Sequence, residues 1–272
     1  MRNYLPLLLT PLLALAACGH HGNRNKPPVT HTSAKIPTSA NSEAAAAHPA
    51  SATSVPPTVS TQNSASTDQH WVEGKNYFLI QPAQPTGHPD KVVVTEVFSY
   101  ACIACNAFQP IWARLVRAMP SNVVIDYLPA SFIPSENWPL FQRAYFTARA
   151  FGVAKKAHEA MFKAVWKTGK LGIYDPTTHQ VKPKSAWPNL ENLARFYARY
   201  GVDQKQFIST AYSFSVNMQM KRADQEIMAI GTTMTPTIMV NGKYRLTPIS
   251  AGGYGKTIAL TQWLVSKETA GK

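Results

Sequence analysis

Hydrophobic and polar positions divide the chain into three stretches. An apolar run from Leu5 to Ala17 follows a single early cation, Arg2. From there to residue 70 the side chains are small and polar, with neither a two-residue nor a helical period. From Trp71 onward the pattern is that of a folded domain. Tyr77 to Ile80 predicts a short first strand. Lys91 to Tyr100, "KVVVTEVFSY", predicts a second by its β-branched content, and its unbroken apolar run predicts burial on both faces. Helical spacing then begins: Phe108, Ile111, Trp112, Leu115 and Met119 recur on one face, with Pro110 inside the pattern and expected to kink it. Pro120 and Ser121 end that helix, and Asn122 to Ala130 predicts a third strand. Strand, helix and strand within about 40 residues make a right-handed βαβ unit.

A long helical block follows. Ser135 to Pro139 offers caps and a first-turn proline for a helix running to Gly152. Ala154 to Lys167 ends at Gly169, and Asn189 to Tyr200 ends at Gly201. Asp203 is positioned to cap a further stretch reaching Ile230, with a break near Ser213. Strand patterning returns in "TIMVNGKYRL", two β-rich runs around Asn241-Gly242, a strong hairpin signal. An amphipathic helix from Lys256 to Lys267 closes the chain. The class is α/β. The expected organisation is a first part over 71–134, an inserted helical domain over 135–231 and a second part over 232–272.

The N-terminal apolar run is too short to cross a bilayer, which takes about 20 residues, and has the length of a secretory signal. Leu15-Ala16-Ala17-Cys18 resembles the bacterial lipobox. That motif implies cleavage after residue 17 and a diacylglyceryl group on Cys18. Gly19 rather than aspartate after the cysteine favours the outer over the inner membrane. Residues 18–70 then read as a tether. Ala, Ser, Thr and Pro fill 30 of the 52 positions from 19 to 70, too little apolar area to offset ordering entropy. As a flexible coil it would reach about 40 Å.

Composition narrows the function classes. The formal charge is +13, and from Trp71 onward 23 Lys and Arg face 12 Asp and Glu. The cations are scattered, with only Lys155-Lys156 and Lys221-Arg222 as pairs, which argues against nucleic-acid binding. Three cysteines are too few for a disulfide scaffold.

Two of them, in "FSYACIAC" from Phe98 to Cys105, carry the chemistry. A zinc or copper site would need further ligands at a recognisable interval, and His158 and His179 have none. A redox pair has a direct physical basis. Cys102 follows a buried strand and falls at the first turn of a helix, where unpaired N–H groups and the helix dipole favour a thiolate. Cys105 lies one turn deeper on the same face, within disulfide reach.

From Trp71 to Lys267 the chain resembles the thioredoxin fold and, within it, the DsbA family of periplasmic thiol-disulfide oxidoreductases. The resemblance rests on E-x-F-S-Y-x-C-x-x-C from Glu96 to Cys105, on Pro110, on the helical insert and on "MTPTIMVNGKYRL" from Met234 to Leu246. It implies a thioredoxin fold with an inserted helical domain. It implies Cys102 as nucleophile, Cys105 as resolving cysteine, Thr235-Pro236 as a cis-proline loop beside the disulfide, and Glu96 as a buried acid that moves a proton for Cys105. It also implies no bound cofactor or metal, partly folded cysteine-containing envelope proteins as substrates, a DsbB-like quinone-linked membrane reoxidant, and a periplasmic monomer. Phe98, Tyr100, Ile103 and Trp138 are candidates for an apolar substrate groove and equally for plain core.

Two positions depart from strong oxidases of the family. Ile103-Ala104 replaces Pro-His, and Thr235 replaces valine, as in disulfide isomerases. Those isomerases carry a dimerisation domain where this chain has its tether. A reductase or isomerase on the same fold, or a metal-binding envelope lipoprotein, is the alternative.

Overall fold

The computed structural model describes residues 70–271; the expected signal, Cys18 and all but the last residue of the expected tether lie outside them. A mixed five-stranded sheet has the order β1-β5-β4-β2-β3. The strands are β1 (Phe78–Leu79), β2 (Val93–Phe98), β3 (Val124–Pro129), β4 (Thr237–Val240) and β5 (Tyr244–Leu246). Only β2 and β3 run parallel; β4 pairs antiparallel with β2 and β5, and β1 with β5. Every residue of β2 is buried, as its continuous apolar run predicts. The hairpin turns at Asn241 and Gly242, both at positive φ. At Gly242 a side chain would also collide with the Gln84 backbone.

Helix α1 (Ile103–Ala118) crosses from β2 to β3 and runs without a break through Pro110. With α7 (Tyr254–Ala270) it covers part of the sheet, and Phe108, Trp112 and Leu115 meet Ile238, Val240, Leu260 and Leu264 in one core. Between β3 and β4 stand five helices: α2 (Trp138–Ala150), α3 (Ala154–Phe162), α4 (Leu190–Ala198), α5 (Gln204–Ala211) and α6 (Phe214–Ala229). A π-helical turn, Lys163–Lys167, extends α3. The caps follow local chemistry. Asn189 forms a capping box with Asn192, Asp203 caps α5, and Ser213 caps α6 at the break expected there. At α2 the cap differs from expectation. Asn137 occupies it in the left-handed conformation, and its amide donates to the Pro188 carbonyl instead of accepting from the helix.

The second core joins the end of β2 to these helices. Phe98 is fully buried, with ring contacts to Tyr100, Tyr127, Tyr145, His158 and Phe162. Tyr100 Oη lies 3.0 Å from His158 Nδ1, and burial pushes that imidazole down to about 3, so it is neutral. Of the two readings open for them, groove lining or core, Phe98 and Tyr100 take the core: at and just beyond the end of β2 they face the helices rather than solvent.

Candidate active site

The end of β2, the start of α1 and the loop before β4 bring the thiols together. Cys102 is the N-cap of α1, in extended conformation, and its sulfur accepts from the Cys105 N–H at 3.2 Å. It takes the place usually held by a serine or aspartate oxygen. Both thiols are free. On the other side, Cys102 Sγ lies 3.6 Å from the Thr235 carbonyl, and the Thr235–Pro236 peptide is cis. A second cis proline, at Gln81–Pro82, was not anticipated.

The two cysteines differ sharply. Cys102 is lowered to about 6, first by its hydrogen bond with the Cys105 thiol, against burial, and further by Thr235 and the N–H groups of Cys105 and Ala104. No acidic residue stands in the first turn of α1 to oppose this. Cys105 is fully buried, and burial, followed by the Cys102 bond and charge, pushes it well above the ordinary thiol value. One thiol is thus ready to ionise at neutral pH while the other holds its proton.

Glu96 lies behind them in β2, opposite Ile238 and Tyr127 in the neighbouring strands, with no exposed surface. Its Oε1 accepts from Gln109 Nε2 at 3.4 Å, and the same amide lies 3.4 Å from the Cys105 carbonyl. Oε2 has no hydrogen-bond partner among the described residues. Burial raises this carboxyl well above the ordinary 4.5, the Gln109 bond opposing and Cys102 adding. Gln109 was not among the sequence candidates; its position four residues after Cys105 on the inner face of α1 was the available signal.

A proton bound more tightly when folded stabilises the protein below the unfolded pKa, and that contribution is lost as pH rises towards the folded one. Glu96→Gln should therefore gain in Tm over the parent as pH goes from about 5 to 8. Parallel Tm profiles would show that Glu96 is not held protonated.

Beside Cys102 opens a cleft of about 780 Å³. Ile103 and Trp138 line it as expected, together with Phe132, Trp166, Tyr174 and Met234. Ile103 is 69% exposed at its mouth. Trp166 also donates its indole N–H to the Tyr100 carbonyl at 2.8 Å, tying the segment that carries Cys102 to the helical block. Across Thr235–Pro236 lies a smaller apolar hollow of about 330 Å³ with Pro248, Ile249 and Tyr254.

A strand feeding a helix that is capped by a low-pKa thiol, with a buried second thiol and a cis-proline loop opposite, defines a thioredoxin-fold dithiol protein. The thioredoxin family model matches residues 85–259. The thiol:disulfide interchange protein DsbA of Pseudomonas aeruginosa is 35% identical over 200 residues, spanning 74% of this chain and 87% of that protein. The Azotobacter vinelandii DsbA is 32% identical, over 72% and 83%. The crystal structure of Pseudomonas aeruginosa DsbA superposes with a TM-score of 0.61 at 33% identity, covering 74% of this chain and 96% of that one. DsbA from Xylella fastidiosa gives 0.60 at 30%, over 71% and 95%. The chain belongs to the DsbA family of thioredoxin-fold thiol:disulfide oxidoreductases.

Proposed function

We propose that this protein introduces disulfide bonds into cysteine-containing proteins of the bacterial envelope, and that the Cys102–Cys105 disulfide is its working oxidant. A substrate thiolate attacks Cys102 Sγ, the Cys102–Cys105 bond breaks, and a mixed disulfide forms. A second substrate thiolate then attacks the substrate sulfur of that bond. The substrate leaves as a disulfide, and the protein keeps its two electrons and two protons as two thiols. Glu96 is the group through which Cys105 gains and loses its proton, and Thr235-Pro236 presents backbone to the extended substrate. A quinone-linked membrane partner similar to DsbB removes the electrons, so no bound cofactor is needed. The cleft and the exposed apolar side chains around it suit partly folded polypeptide.

The observation that carries this reading is the contrast between the thiols. A leaving group with a pKa near 6 stabilises the reduced pair, which makes the disulfide an oxidant despite the absence of histidine between the cysteines. The test is the equilibrium reduction potential in glutathione buffers. A value well above about −180 mV supports an oxidase. A value near about −270 mV would assign the pair to reduction or reshuffling and make Thr235 and Ile103-Ala104 the better guides.

The signal and lipobox support a periplasmic location with an anchor through Cys18, the outer membrane preferred by Gly19, and a monomer completes this reading. The tether over 18–70 carries a working unit whose helical domain, 135–231, is inserted into the thioredoxin-like part. Intact mass of the mature protein should show an acylated Cys18, and an unmodified N-terminus would remove the anchor from this picture.

A further inference from the structure

The cleft beside Cys102 differs in charge from the protein around it. The chain carries a formal charge of +13, yet no lysine or arginine lines the cleft, whereas Glu136 and Asp175 do, along with His179. Both carboxylates are half-buried. Glu136 sits on a short 3-10 turn, Pro134–Glu136, and is held by the indole of Trp138 and the hydroxyl of Tyr174, each at 3.3 Å. Asp175 Oδ1 accepts from the Thr177 N–H at 2.9 Å, the Thr178 N–H at 2.8 Å and the Thr178 hydroxyl at 3.2 Å. Neither joins an ion pair: among the described residues only Glu159–Lys163 and Glu268–Lys243 do. Lys182 is the cation whose charge reaches Asp175, but its ammonium is turned to the carbonyls of Gly169 and Gly172. Two carboxylates are thus fixed in position and uncompensated by any lysine or arginine in the cleft, whose walls also include the aromatic side chains of Trp138, Trp166 and Tyr174.

Fixed anions in an aromatic-lined cleft favour a cation with an apolar stem, the chemistry of lysine and arginine side chains. Resting on the oxidase reading above, we propose that this cleft selects substrate segments in which a lysine or arginine flanks the reacting cysteine, with Glu136 and Asp175 as its specificity determinants. Elsewhere the positive charge of the protein would steer acidic peptides towards it at long range. A preference for cationic flanks can therefore arise only locally, and its sign is diagnostic.

The experiment uses the oxidised full chain at about 0.15 M salt, where the Debye length of about 8 Å leaves only local charge unscreened. The probes are two otherwise neutral dithiol peptides that differ only in an arginine or a glutamate beside the reacting cysteine. The expected ratio of kcat/KM is about three- to tenfold in favour of arginine, the range that two partly exposed ion pairs supply. It should fall to near one in Glu136→Gln/Asp175→Asn and below one in Glu136→Lys/Asp175→Asn. Because Asp175 organises its own loop, Glu136→Gln alone serves as the second variant and should lower the ratio part of the way. A ratio at or below one in the parent, or a ratio unmoved by the substitutions, overturns the proposal. Failure to oxidise either peptide overturns the oxidase reading itself, and the selectivity with it.

Discussion

Cys102→Ser should abolish dithiol oxidation, lowering turnover of a model dithiol peptide by about three orders of magnitude or more, as loss of a covalent nucleophile does elsewhere. A serine hydroxyl can cap α1 as the sulfur does, so the fold should survive while the redox centre is lost. Cys105→Ser should behave differently. The remaining thiol still sits at the helix N-terminus with the N–H groups of Ala104 and Cys105 aimed at it. It attacks a substrate disulfide, one substrate sulfur leaves as a thiolate and a mixed disulfide forms, which no second thiol of the protein itself is then present to break. Mixed disulfides with envelope proteins should accumulate and be visible on non-reducing gels as bands that collapse on reduction. If Cys105→Ser traps nothing while Cys102→Ser traps substrate, the roles of the two sulfurs are reversed. If neither traps substrate and both oxidise dithiols normally, the pair is not the catalytic centre.

The second large effect is on stability. Phe98→Ala removes the ring at the centre of the core between the end of β2 and the inserted helices, which has no exposed surface and touches five other rings. Emptying such a site costs about 3–5 kcal/mol, equivalent to a fall in Tm on the order of 10 °C for a unit of this size. Thermal unfolding followed by circular dichroism reads it directly. Had Phe98 lined the groove, the same substitution would cost little stability and impair substrate turnover instead. A Tm within about 1 °C of the parent, well under the shift above, would restore that role.

Phe98 and Ile103 also illustrate what could be read from the chain. Both are large apolar residues close to the cysteines and both are groove candidates, although Phe98 also closes the apolar run that predicts a buried strand. Phe98 occupies an inward position at the end of a strand whose outer face is covered by helices from the insert, whereas Ile103 is the first residue of a helix that points its N-terminus at solvent. Which of the two becomes core depends on α3 packing against β2 and β3, a long-range contact that no local period encodes. Glu96 is the opposite case. An acid in the middle of a strand with no polar alternation has nowhere to reach water, so its burial was legible from "VVVTEVF" alone. The amide that holds it, Gln109, left only the weaker signal of its place four residues after Cys105, because a polar residue on a helix ordinarily faces solvent. The α2 cap shows the same limit. Ser135 and Asn137 both have capping side chains, yet no side chain caps α2, and the Asn137 amide donates instead to the Pro188 carbonyl, 51 residues further along the chain.

By itself the sequence determined the order of strands and helices, the helix stops at glycine, the hairpin at Asn241-Gly242, and the pair of thiols at a helix start, since these follow from local backbone preferences and side-chain periodicity. Only the tertiary structure decided how sharply the surroundings of the two thiols differ, which aromatic residues are core, and that two carboxylates with no ion-pair partner stand beside Cys102 in an otherwise basic protein. Each of those depends on burial and on charges brought together from distant segments, and desolvation and Coulomb energy are properties of the folded surroundings rather than of the residue.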